Sequence, residues 1–253
     1  MNSRRERYLE EMGLGPVWRL RRHGQQSGPV TQDSNGPGAA LRSLSPQPVP
    51  GKNADAAFDL ADNRATRILA MEWPELKAAV SGCQACPLHQ TRTRTVFGVG
   101  DEQADWLLVG EAPGAEEDAR GEPFVGQAGR LLDNMLAVIG LDRSKNVYIC
   151  NVLKCRPPGN RNPEPFEAAQ CSPHLLRQLA LIKPKLIVAM GRFAAQALLD
   201  TDASIASLRG KLHRYRGVPL VVTYHPAYLL RSLPDKAKAW EDLCFARRTL
   251  AGL

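Results

Sequence analysis

The chain has 253 residues, 43% hydrophobic and 23% charged, the balance of an ordinary globular protein, which excludes a wholly disordered or fibrous chain. Its longest clean apolar run, Leu186 to Met190, falls far short of the ~20 residues a membrane span needs, and the N-terminus lacks the apolar core of a secretory signal. Six cysteines in such a chain argue against a disulfide framework, and a net charge of +7 favours a polyanionic partner.

Residues 1–23 include RRERYLEEMGLGPVWRLRR, where Tyr8, Leu9 and Met12 fall at helical spacing before Gly13. A short docking motif for a protein partner is expected there. Residues 24–63 form a disordered linker in this reading. Gly, Pro, Ser and Gln dominate 24–55, and no periodic apolar pattern offsets the cost of ordering. A folded domain is expected over 64–253. Within it the basic stretch Arg143, Lys145, Lys154, Arg156 and Arg161 contains no acid, as a phosphate-facing surface requires.

The domain alternates short apolar runs with helical patterns. Trp106 to Val109 reads as a strand ending at Gly110, and 127–139 as a helix stopped by Gly140. Val147 to Cys150 is a strand, 164–182 a helix, Leu186 to Met190 a strand, and 191–199 a helix. Val218 to Thr223 is the fourth strand, and 235–250 closes the chain as a helix. Continuous apolar strands between helices predict a parallel sheet covered on both faces, with ligands bound beyond the carboxyl ends of the strands.

Cys83 and Cys86 form C-x2-C, and Cys155 and Cys171 bracket a Pro-rich loop. Four thiolates suffice for a tetrahedral metal ion or an iron–sulfur cluster, and the spacing leaves zinc and iron–sulfur both open. His89 is a reserve ligand, while Cys150 and Cys244 sit in apolar settings as free thiols.

The loop GEAPGAEEDARGEPFVG after the first strand is too acidic to cradle a nucleotide phosphate. Gly110 and Gly114 permit close backbone approach to a ligand, and Phe124 reads from this stretch either as a core aromatic, the favoured reading, or as a loop aromatic that stacks on a base. Asn151 ends the second strand with an amide able to read a pyrimidine edge. His225 ends the fourth strand before Pro226, placed to donate to a developing anionic oxygen. His213, in a basic stretch, reads as a surface or DNA-facing residue.

GEAPG at 110–114, PFVG at 123–126, NVLKCRPPGNRNP at 151–163 and TYHPAYLLR at 223–231, with the four cysteines, resemble the family-four uracil-DNA glycosylases. The resemblance covers roughly residues 74–250. It implies a three-layer α/β/α sandwich around a four-stranded, largely parallel sheet. It also implies a [4Fe–4S] cluster on Cys83, Cys86, Cys155 and Cys171, and excision of uracil from single- or double-stranded DNA in base-excision repair. By the same resemblance, Phe124 stacks on the flipped uracil, Asn151 reads its edge and His225 contacts O2. Glu117 crowds out a thymine methyl, Leu229 fills the vacated stack and Arg231 meets a phosphate.

Where the best-known branch of the superfamily has a water-orienting Asp, this chain has Ala112. Glu111 is the preferred residue to position water, and Asn160 the second candidate. The loop PPGNRNPEP lacks the histidine that marks a covalent uracil-trapping branch, so turnover by water is expected. A monomer in the cytoplasm, associated with the nucleoid, is expected. The alternative is a metal-stabilised, non-catalytic or uracil-trapping DNA-binding protein.

Overall fold

The computed structural model describes residues 63–253. The docking motif expected over 1–23 and the linker expected over 24–63 lie outside these residues, except position 63 itself. A helical segment, 63–69, precedes α1 (Trp73–Ser81). The chain then runs β1 (Val99–Gly100), β2 (Trp106–Gly110), α2 (Ala115–Arg120), α3 (Gln127–Ala137) and β3 (Val147–Asn151). It continues with α4 (Pro165–Ile182), β4 (Leu186–Met190), α5 (Arg192–Leu199), α6 (Ile205–Leu208), β5 (Leu212–Tyr215), β6 (Val218–Thr223), α7 (Pro226–Leu229) and α8 (Lys236–Ala251).

The sheet has six strands in the order β1-β3-β2-β4-β6-β5. The four expected strands form its parallel centre, and β2, β3 and β4 are buried along their whole length. The expected count of four misses two antiparallel edge strands. β1 is two residues long, and β5 alternates exposed and half-buried positions. An edge strand wetted on one face carries no apolar run by which sequence could announce it.

Alternation along each central strand sends side chains to opposite faces. Leu108, Ile149, Val188 and Val221 pack under α3, α7 and α8 through Leu132, Met135, Leu229, Leu243 and Ala246. Leu107, Tyr148, Ile187, Ala189 and Val222 pack under α4 and α5 through Leu175, Leu179, Ala194 and Leu198. Each large aliphatic side chain so buried contributes about 1.5–3 kcal/mol, which is why two continuous layers hold one sheet rigid.

The register then sets the site. Gly110 pairs with Asn151 across the parallel β2–β3 ladder, so the two stand side by side where the strands end. From β2 the chain steps first to β3 on one side and then to β4 on the other, and a crevice opens at such a reversal of strand order. Met190 pairs with Thr223, which brings Gly191 and the segment through His225 to the same crevice.

Candidate active site and cysteine ring

A cavity of about 750 Å³ lies at these strand ends, lined by the loop after β2, Phe124, Asn151, the start of α5 and the segment through α7. Every residue expected to act on the base reaches it except Gly110 and Leu229. Gly110 lies directly behind the wall. A Cβ there would meet Asn151 Oδ1 and would sit 2.7 Å from Phe124 Cζ, so glycine is required for both side chains to occupy their positions.

Phe124 is buried in a left-handed backbone conformation, φ 55°, an uncommon state for a bulky residue. Two features hold it there. Arg143 Nη2 donates to its carbonyl at 2.9 Å, and Gly129, at the start of α3, leaves room for that carbonyl where any Cβ would collide. Its ring lies 5.4 Å from the His225 ring, tilted by 30°.

Asn151 is 2% exposed, and its Oδ1 has no hydrogen-bond partner. An unpaired buried acceptor is costly, on the order of 1–3 kcal/mol, which marks a place where a donor from outside is accommodated. His225 Nδ1 accepts from the backbone N–H of Ala227 at 3.1 Å, which leaves the ring proton on Nε2. Burial holds its pKa down at about 4, against the opposing pull of Glu117, and Arg231 pushes in the same direction as burial. The ring is therefore neutral at physiological pH and carries its one N–H on Nε2. Gly191, with φ 93°, packs where a Cβ would stand 2.9 Å from His225 Cβ.

The Glu117 carboxylate accepts from the amides of Gly114 (3.2 Å), Val125 (3.0 Å) and Gly126 (3.3 Å). It thus pins the acidic loop to the Phe124 turn. Glu111 is half-buried, and burial raises its pKa while the Arg192 guanidinium pulls it down. Asn160 lines the cavity rim but is exposed, and its Oδ1 accepts from Arg156 Nε at 2.8 Å. Ala112 lines the wall without a polar group.

Two expectations are corrected. Leu229 is 1% exposed and belongs to the core under α3, so it is not available to enter a base stack; Leu230, beside it, is 39% exposed. In the one-turn helix α7 the side chain three residues after Pro226 turns inward and the next turns out. The basic stretch 143–161 is also only in part available to a phosphate: Lys145 is exposed and Arg156 half-buried, but the other three cations are engaged. Arg143 is paired with Asp133 and Glu122, Lys154 is buried, and Arg161 grips the buried Glu167 carboxylate with two hydrogen bonds of 2.9 and 2.6 Å. The cations facing the cavity without a hydrogen bond or ion pair among the described residues are Arg192 and Arg231. Sequence reasoning missed Arg192, whose signal is its place as the first helical residue beyond a strand-end glycine. It also missed Tyr228, stacked on Tyr224 at 5.2 Å and half-exposed at the mouth.

The four cysteines line a second, small and almost wholly apolar pocket between α1, the end of β3 and α4. Among the described residues, no three His, Cys, Asp or Glu side chains are grouped to hold a metal ion. The thiols do share one enclosure, and a donor set of four sulfurs with no carboxylate in the lining suits a thiolate-bound group. Burial raises the pKa of Cys86 and Cys155, and pushes Cys171 up to about 12. Donors already surround the sulfurs: Arg92 Nη1 reaches Cys155 Sγ at 3.3 Å, Arg64 Nη2 reaches Cys83 Sγ at 3.5 Å, and the Lys154 amide reaches Cys171 Sγ at 3.2 Å. Neither arginine was expected from sequence. His89 is not in this lining, and its Nδ1 hydrogen-bonds the Cys86 carbonyl. Cys150 is fully buried and Cys244 half-buried, both apart from the ring. His213 lies on edge strand β5, its Nε2 bonded to the Leu208 carbonyl at 2.8 Å.

Comparison with known proteins agrees with this geometry. Residues 97–244 match the model of the uracil DNA glycosylase superfamily. The type-4 uracil-DNA glycosylase of Archaeoglobus fulgidus is 50% identical over 159 residues, 60% of this chain and 79% of that protein. That of Thermotoga maritima is 47% identical over 161 residues, covering 63% and 83%, and that of Pyrobaculum aerophilum 39% over 181 residues, covering 68% and 92%. With the superfamily model matched over more than half of the chain and this degree of identity over most of each relative, the chain belongs to the type-4 branch of the uracil-DNA glycosylase superfamily.

Proposed function

We propose that the protein flips uracil out of DNA and hydrolyses its N-glycosidic bond, leaving an abasic site as the first product of base-excision repair. It is a DNA-repair hydrolase by family. The observation that carries the reading is the partnerless, buried Asn151 Oδ1 in the wall of a cavity that Phe124 and His225 also line. Uracil supplies what that atom lacks: its N3–H donates to Oδ1, and its O4 accepts from the Asn151 amide nitrogen.

Chemistry follows from where charge develops. A base inside a duplex is out of reach, so it leaves the stack at a cost of a few kcal/mol, least for a mismatched U·G pair. Breaking the bond puts negative charge on the uracil and positive charge on the sugar. His225 Nε2–H donates to O2 as that charge grows; the neutral ring needs no proton from solvent to do so. Phe124 stacks on the base. The Glu117 carboxylate, held by three amides, is a wall that does not yield to a methyl at C5, as discrimination against thymine requires. Glu111, with no hydrogen-bonding side-chain partner among the described residues, positions the attacking water. Asn160, exposed and engaged by Arg156, is the weaker candidate. Leu230 takes the wedge role that residue counting assigns to Leu229, and Arg231 and Arg192 meet phosphates.

Cys83, Cys86, Cys155 and Cys171 would hold a [4Fe–4S] cluster, whose contribution is to cross-link α1, the end of β3 and α4. A monomer acting at the nucleoid completes the proposal; no helix among the described residues is long and apolar enough to cross a membrane. The test is incubation of purified protein with a U·G oligonucleotide. Alkali-labile breaks at the uracil, and none in the T·G control, are expected. Intact DNA after incubation with iron-loaded protein would refute the activity.

A further inference from the structure

Lys154 belongs to the basic stretch that the sequence reading assigned to a phosphate-facing surface, and its surroundings assign it another task. The residue is 1% exposed, among the most deeply buried large side chains of the protein. Such a side chain is retained only if its donors are satisfied. Nζ donates to the backbone carbonyl of Asn151 at 2.8 Å and to Gln178 Oε1 at 2.6 Å. Gln178, on α4 and fully buried, is anchored in turn: its Nε2 donates to the Phe97 carbonyl at 3.0 Å. No carboxylate pairs with Lys154 among the described residues. Meanwhile its backbone N–H donates to Cys171 Sγ. One residue thus touches the cysteine ring through its main chain and the base-reading residue through its side chain.

We propose that Lys154 is a positioning residue that fixes the direction of the Asn151 amide. The argument rests on the reading of Asn151 above. Beyond Asn151 the Val152 N–H still donates to the Gly110 carbonyl at 2.9 Å, while the Asn151 carbonyl, on the other edge of that same peptide, is held by Lys154 Nζ. The chain turns there toward Cys155, and with one edge of the peptide held by β2, a second hold on its carbonyl fixes the tilt of the peptide and of the side chain that precedes it. Lys154 Nζ ties that carbonyl to Gln178 on a helix that also carries Cys171. Displacement of a reading group by about 1 Å costs on the order of 10² in rate, so a tether at this point is worth a buried amine.

The experiment is a double-mutant cycle on iron-loaded protein with Lys154→Met, Asn151→Ala and the pair, read as single-turnover excision from U·G duplex over a range of enzyme concentration. Lys154→Met is expected to lower the maximal rate about 10–100-fold, with the half-saturating concentration within threefold of wild type, and to raise the inhibition constant of free uracil in parallel. In the Asn151→Ala background the same substitution should cost less than threefold. A silent Lys154→Met beside a crippled Asn151→Ala overturns the tether alone. An equal loss in both backgrounds overturns it too, since the effect is then independent of Asn151. A silent Asn151→Ala removes the base-reading assignment and the tether with it. If Lys154→Met does not fold, Gln178→Met carries the same cycle, with a loss of about 3–10-fold expected only when Asn151 is present.

Discussion

The two polar regions of this protein are built on opposite plans. The cavity at the strand ends is wide, open and lined by side chains whose hydrogen-bonding capacity is partly unused: Asn151 Oδ1, His225 Nε2, Glu111 and Arg192. The cysteine ring is narrow, dry and already surrounded by donors from Arg64, Arg92 and the Lys154 amide. Unused capacity at a wet, accessible site is what a passing substrate needs. Pre-placed donors around buried sulfur are what a permanent resident needs. The difference predicts that damage to the ring removes the protein, whereas damage to the cavity removes only the chemistry.

The largest expected effect tests the ring. Cys155→Ser should lose visible absorbance, iron and soluble yield together, because metal binding and local folding are coupled. A colourless, zinc-loaded protein of full activity would erase the contrast with the cavity. Asn151→Ala should keep its absorbance and its affinity for DNA, which phosphate contacts dominate, and lose about three orders of magnitude in excision. Collapse of DNA binding with surviving chemistry would make Asn151 structural instead.

His225→Ala comes next, at about 10²–10³ in rate, the usual cost of losing a donor to a developing anion. Its pH behaviour sharpens the point. The folded pKa, about 4, lies below the ordinary 6.5, so the neutral donor persists down to the lower value. Stability linked to this group is present above the ordinary value and is lost as pH falls from there toward about 4. The rate should therefore show no inflection near 6.5 that belongs to His225. An acid limb above the ordinary range of a glutamate should appear instead, since burial raises the Glu111 pKa and its carboxylate is the active form. Glu111→Gln should abolish that limb, and a limb that survives reassigns the water.

The smallest effect separates neighbours in sequence. Leu230→Ala should slow excision from duplex about tenfold, with little change on single strands, where no stack is vacated. Leu229→Ala should instead cost about 2–5 kcal/mol of stability. The reverse pattern would restore Leu229 as the wedge.

The amino-acid order by itself determined the four parallel strands and four of the eight named helices, α3, α4, α5 and α8, because a strand buried on both faces must be continuously apolar and a helix against it must repeat at helical spacing. It singled out His225 by its strand end and following proline, while Phe124 and Asn151 gained their expected roles from the family resemblance, their local patterns fitting a core aromatic and a strand-end turn equally. Only the tertiary structure decided that Leu229 faces inward, that Arg161, Arg143 and Lys154 of the basic stretch are engaged by Glu167, by Asp133 and by burial, and that Lys154 spans the cysteines and Asn151. Those outcomes turn on which partner a side chain meets across the fold. Lys154 and Gln178 lie 24 positions apart, and Arg92 and Cys155 lie 63 apart; no local pattern encodes a meeting at that separation.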